Sequence, residues 1–165
     1  MRKKQNIILT SFLITMLAFY SCSRGSNETY ENADQMVKNA LSEINTISMQ
    51  DLKKLLDEEA IIQVIDCREE NDYLSGHITG AVNIPRGVLE FSPKISNRRL
   101  KTIVLGNNEG SGALAVARLG KMKYSDCYLL DCKWEEWAGS FPDFVEEGAG
   151  KLDVPLKEVK APEGC

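Results

Sequence analysis

The chain has 165 residues, with 20 Lys and Arg against 24 Asp and Glu, one His and a formal charge of −4. Residues 1–21 hold three of the basic residues and none of the acidic ones, so the remainder carries 17 against 24, a formal charge of −7. That balance argues against a nucleic-acid partner and against adsorption to an anionic membrane surface. One imidazole, and cysteines without the paired short spacing of a zinc site, argue against a metal centre; no metal or cofactor is expected.

In chain order, Arg2, Lys3 and Lys4 precede an apolar run of 14 residues, Ile7 to Tyr20, that ends in Ser21-Cys22-Ser23. A membrane-spanning helix takes roughly 20 apolar residues, so the run reads as the h-region of an export signal. The Cys directly after it resembles a bacterial lipoprotein signal, in which that Cys is acylated and becomes the mature N-terminus. Phe19 and Tyr20 are bulkier than the residues such a signal usually carries. Lipidation of Cys22 is the expectation, plain secretion the alternative. The first places the protein in the bacterial cell envelope, periplasmic or surface-facing, touching a membrane only through acyl chains worth ~0.8 kcal/mol per buried CH₂.

Residues Ser23 to about Asn32 are polar and suit a tether. Met36, Val37, Ala40, Leu41 and Ile44 then fall at helical spacing. Ser48, three residues before Asp51, predicts an N-cap for a helix from about Met49 to Glu58 with Leu52, Leu55 and Leu56 inward. "AIIQVIDC", Ala60 to Cys67, is the short β-branched run of a strand buried on both faces, repeated by "GAVNIP", "TIVLG" and more briefly "CYLLD". Ala113 to Met122 and "WEEWAGSFP" read as helices, the latter ended by Gly139 and Pro142. Strands alternating with helices predict an α/β fold with a mostly parallel sheet. From about Glu146 the Gly, Pro, Lys and Glu content rises, as in a tail. The expected organisation is a signal peptide at 1–21, tether and lead-in at 22–45, one domain at 46–145 and a tail at 146–165.

"VIDCREENDYLSGHITGAVNIP", Val64 to Pro85, closely resembles the rhodanese-like (sulfurtransferase) domain. Its D-x-R, acidic-aromatic step and G-H-I-x-G-A-x-N-I-P are met at Asp66, Arg68, Asp72, Tyr73, Gly76, His77, Ile78, Gly80, Ala81, Asn83, Ile84 and Pro85. Leu130, Asp131, Trp137, Ala138, Gly139 and Pro142 fit the family's closing L-D-G-G and W-x-x-A-G-x-P, with Cys132 and Lys133 in place of the two glycines. The resemblance covers about Ser48 to Val145. It implies a three-layer fold: a central, mostly parallel five-stranded sheet with helices on both faces.

It also implies sulfur transfer by a cysteine that opens the loop after a central strand. With Leu119, Tyr124 and Leu130 as anchors, that position is Gly106; the usual loop Gly is Glu109 and the frequent loop Arg is Ser111. Sulfane-sulfur transfer needs a thiolate to attack and hold sulfur, with loop amides and positive charge stabilising the anion. Residues Gly106, Asn107, Asn108, Glu109, Gly110 and Ser111 supply no thiol and one negative charge. The expectation is therefore an inactive module, without cofactor, that binds a small anion or an envelope protein partner at this loop.

The alternative is an enzyme with a displaced nucleophile. The strand order that the resemblance implies would put Asp66, Cys67, Arg68 and Cys132 at the strand ends beside the loop. Asp66 and Arg68 read first as a structural ion pair, and His77 as a turn histidine bonded to backbone. A Cys67–Cys132 disulfide must cross two strand spacings, ~9.6 Å, where bridged Cα atoms lie within about 7 Å. Cys127 reads as a small buried hydrophobe, Cys165 as a thiol near the chain end, and Trp134 and Trp137 as packing residues.

Overall fold

The computed structural model describes residues 32–148 apart from 95–96. The signal peptide, Cys22, most of the tether, Cys165 and the tail beyond residue 148 lie outside the described residues.

Among these, α1 (Ala33–Glu43) is capped by the Asn32 side chain, which accepts from the Gln35 amide, and α2 (Met49–Asp57) by Ser48, which accepts from the Asp51 amide. Between them runs the short strand β1 (Asn45–Ile47). The chain continues as β2 (Ile62–Asp66), α3 (Glu70–Ser75), β3 (His77–Ile78) and β4 (Val82–Asn83), then a 3₁₀ turn over Arg86–Phe91. It closes with β5 (Lys101–Leu105), α4 (Glu109–Lys121), β6 (Cys127–Leu130), α5 (Trp134–Ser140), a 3₁₀ turn over Pro142–Phe144 and β7 (Val145–Glu146).

The main sheet has the order β1-β6-β5-β2-β4 with every pair parallel, and β3 pairs with β7 antiparallel in a separate two-stranded ladder. This is the expected α/β architecture. The short apolar runs make the three central strands because both of their faces are covered. Ile65, Val104 and Leu129 point into one layer with Ala40, Leu89, Ala113, Val116 and Leu119. Val64, Ile103, Leu105 and Leu130 point into the other with Leu52, Tyr73, Ile78 and Trp137. Each such Leu or Ile contributes ~1.5–3 kcal/mol by leaving water.

Three expectations change. The lead-in is part of the packed fold: Ala40 is buried in the core, and β1 adds an edge strand by pairing Asn45 with Tyr128. The helix expected from Ala113 starts four residues earlier, at Glu109, because Asn108 and Ser111 form a capping box. The packed chain also runs past Val145, since Glu146 pairs with His77 and the Gly148 amide donates to the Leu74 carbonyl at 2.8 Å.

Candidate functional site

The C-terminal ends of β2, β5 and β6 meet at one edge of the sheet, where open α/β sheets take their ligands. A cleft of about 570 Å³ opens there, walled by Gly106, Asn107, Asn108 and Glu109 on one side, by Asp131, Cys132, Lys133 and Trp134 on another, and by Arg68 and Asp72.

The β2 side of the edge is saturated with hydrogen bonds. Arg68 donates from Nε (3.1 Å) and Nη2 (2.7 Å) to the Asp66 carboxylate, and its Nη2 also reaches the Gly76 carbonyl at 2.6 Å. Both partners are buried, Asp66 at 0% and Arg68 at 4% exposed, so the pair holds two charges that neither could carry there alone. The Asn83 side-chain amide donates to the Asp66 and Arg68 carbonyls, and the Tyr73 hydroxyl to the Ala81 carbonyl at 2.8 Å. The Trp134 ring stacks on the Arg68 guanidinium at 4.3 Å. A Cβ on Gly76 would stand 2.9 Å from Trp134 Cζ2, so glycine is what lets the indole lie that close. This network ties β2, α3 and α5 into one frame.

The β5–α4 junction is built differently. A Cβ on Gly106 would meet the Gly112 amide nitrogen at 2.5 Å and the Asn108 carbonyl oxygen at 2.7 Å, backbone atoms that cannot swing aside. The helix N-terminus therefore lies directly against the end of β5. The loop's own groups bond three of its amides: Asn108 Oδ1 accepts from Ser111 N at 2.8 Å, Ser111 Oγ from Asn108 N at 3.2 Å, and the Asn108 carbonyl from Gly112 N at 3.1 Å. Gly106, Asn107, Asn108 and Glu109 line the cleft, whereas Gly110 packs toward Val37 and Ser111 serves the cap.

The two neighbouring thiols are separated by the sheet itself. Cys67 is buried in the layer of α1 and α4, and Cys132 packs against the layer of α2, α3 and α5 while lining the cleft. Cys67, Cys127 and Cys132 are all free, so the Cys67–Cys132 disulfide does not form. Burial, with Asp66 adding and Arg86 opposing, pushes the Cys67 thiol up to about 12. Burial, with Glu136 and Asp131 adding, pushes Cys132 up to about 11. Cys127, 8% exposed at the start of β6, is likewise raised, chiefly by burial. None is a ready nucleophile at neutral pH.

The sequence brought Asp66, Arg68, Gly106 and Cys132 to one edge, and the structure places them there; Cys67 it turns into the core. Four features went unread in the sequence. Asp72, Asp131, Glu135 and Glu136 join Glu109 around the cleft, five carboxylates against Arg68 and Lys133. The Trp134–Arg68 stack, the Asn108–Ser111 cap and the closed space over Gly106 are the others. The cap alone had a local signal, an Asn three residues before a Ser with an acidic residue between.

The family model for the rhodanese-like domain matches residues 48–140. The thiosulfate sulfurtransferase GlpE of Pseudomonas fluorescens (strain SBW25) is 28% identical over 108 residues, covering 66% of this chain and 97% of that protein. Among solved structures, the Alr3790 protein from Anabaena sp. superposes with a TM-score of 0.57 at 19% identity, over 62% of this chain and 92% of that one. The human single-domain sulfurtransferase TSTD1 gives 0.51 at 20% identity, over 57% and 95%. These last two share the fold. With the central sheet, the D-x-R pair and the G-H-I connection in place, the chain belongs to the rhodanese-like domain family.

Proposed function

We propose that this protein is a rhodanese-like module that binds a partner at its cleft and does not transfer sulfur. The observation that carries the reading is the closed space over Gly106. The family's nucleophile falls at this position, and here it has neither a thiol nor room for a Cβ. The amides of Asn108, Ser111 and Gly112, which an anion cradle would aim at sulfur, are bonded within the loop. The five carboxylates around the cleft oppose a thiosulfate dianion and, by the same charge, any small anion. A partner that presents Lys or Arg, such as a basic segment of another envelope protein, suits this lining better. The N-terminal pattern ending at Cys22 supports a lipid anchor that would hold the module at an envelope membrane.

One observation favours a second reading, a persulfide carrier: Cys132 lines the cleft, and GlpE is named a thiosulfate sulfurtransferase. Against it, a thiol raised to about 11 leaves roughly one molecule in ten thousand as thiolate at pH 7.

Purified protein given thiosulfate and cyanide separates the two. The binding reading expects no thiocyanate, and alkylation after donor treatment should find Cys67 and Cys132 as plain thiols. Turnover that is lost in Cys132→Ser would establish the carrier instead. Titration with a short lysine-rich peptide should saturate and weaken in Glu109→Gln/Glu135→Gln, while thiosulfate should neither bind nor compete. Equal peptide binding by both proteins would remove the cleft from the reading.

A further inference from the structure

The one histidine of the chain is fully buried, at 0% exposure, and only one of its two nitrogens is satisfied. The His77 ring stacks on Tyr73 with centroids 3.8 Å apart and 17° between planes, and Nδ1 lies 3.0 Å from the Tyr73 carbonyl oxygen. A carbonyl oxygen only accepts, so in the neutral ring the proton sits on Nδ1 and Nε2 is a bare lone pair. That lone pair has no hydrogen-bond partner, and the nearest anionic atom is Glu146 Oε2, 3.7 Å away on the facing strand. Two acceptors face each other across the β3–β7 ladder. A proton on Nε2 converts the same pair into a charge-assisted donor and acceptor.

We propose that the chain from Val145 to Gly148 is a proton-operated latch: protonation of His77 fastens β7 to β3 through Glu146, and loss of the proton loosens it. The rest of the attachment is thin enough for one such bond to matter. The ladder has two residue pairs, and beside it stand Thr79 N to the Phe144 carbonyl (3.0 Å), Gly148 N to the Leu74 carbonyl (2.8 Å) and Gly80 N to Glu146 Oε2 (3.4 Å). The Phe144 carbonyl also receives the Trp137 indole at 3.4 Å, so the latch bears on α5, which carries the Trp134 wall of the cleft.

The charged and titratable groups on the surrounding elements leave Glu146 as the partner. From β2, Arg68 is committed to Asp66 and to the Gly76 carbonyl. On α3, the Tyr73 hydroxyl donates to Ala81, and Glu70 and Asp72 are exposed. On α5, Glu135 and Glu136 line the cleft, and on the closing segment Asp143 and Glu147 are exposed. The sign follows from which protonation state is paired. The closed latch favours the protonated ring, so closure is strongest at acid pH and fades as pH rises and the proton is lost.

Amide hydrogen exchange on the full-length protein reads the latch directly. From about pH 8 down to about pH 5, protection factors of Thr79 and Gly148, corrected for intrinsic exchange, should rise about tenfold relative to those of β5 amides. In Glu146→Gln, a half-exposed position where the neutral isostere fits, the rise should fall below about twofold. The single histidine makes its C2–H resonance a clean marker that the change tracks imidazole titration. Flat protection in the wild type, or an equal rise in Glu146→Gln, overturns the proposal.

Discussion

Two stretches at the same edge of the sheet have been built for opposite ends. The connection from Asp66 to Ala81 buries its anchoring residues, its Asp66–Arg68 pair held by side-chain hydrogen bonds, a backbone carbonyl and an indole face. The junction from Gly106 to Gly112 buries Gly112 alone and spends the amides of Asn108 and Ser111 on its own cap. The first supplies what the fold needs. The second is the loop on which the proposed loss of sulfur transfer rests. The difference teaches that the two stretches are held by separate sets of contacts, so that either can be disturbed without the other.

Breaking the frame should cost most. Arg68→Ala leaves the Asp66 carboxylate buried and uncompensated, which should lower unfolding free energy by about 3–5 kcal/mol in urea titrations. A loss under about 0.5 kcal/mol would mean that the frame does not depend on the pair.

Opening the junction should cost less. Gly106→Cys forces a Cβ against the Gly112 amide and should lose roughly 1–3 kcal/mol. Adding Glu109→Gly and Ser111→Arg removes the opposing charge and supplies a cation, so thiosulfate:cyanide transfer should exceed that of the single variant. The contact with Gly112 persists, so stability should stay below wild type. A triple variant as stable as the parent would show that the loop opens freely.

Trimming one bond of the frame is a finer probe. Tyr73→Phe deprives the Ala81 carbonyl of its donor and should cost about 1 kcal/mol by thermal melting, without altering the cleft.

The smallest effect is on the loop side and leaves stability alone. Alkylation of Cys132 should be slow at pH 7 and accelerate about tenfold per pH unit toward about 11, because only the thiolate reacts. A rate that levels off near pH 8 would revive the displaced nucleophile.

What the sequence determined was whatever a local pattern can carry. β2, β5 and β6 follow from short apolar runs, β-branched in the first two, whose two faces must both leave water, and the start of α2 follows from Ser48. Asp66, Arg68 and His77 were legible as a buried connection because their residue types, at that spacing, need partners once out of solvent. The tertiary structure decided the rest. The three residues of β1 have no pattern of their own and become a strand because β6 offers them an edge; β3 and β7 make each other in the same way. Cys67 and Cys132 follow the ends of β2 and β6, and the sheet register sets Cys132 one residue further along, so that the two fall on opposite faces. The acidity of the cleft is summed over side chains from three separate segments, and the closed space over Gly106 depends on how near α4 comes to β5. Distances between residues remote in the chain are set by packing, and no local run of residues encodes them.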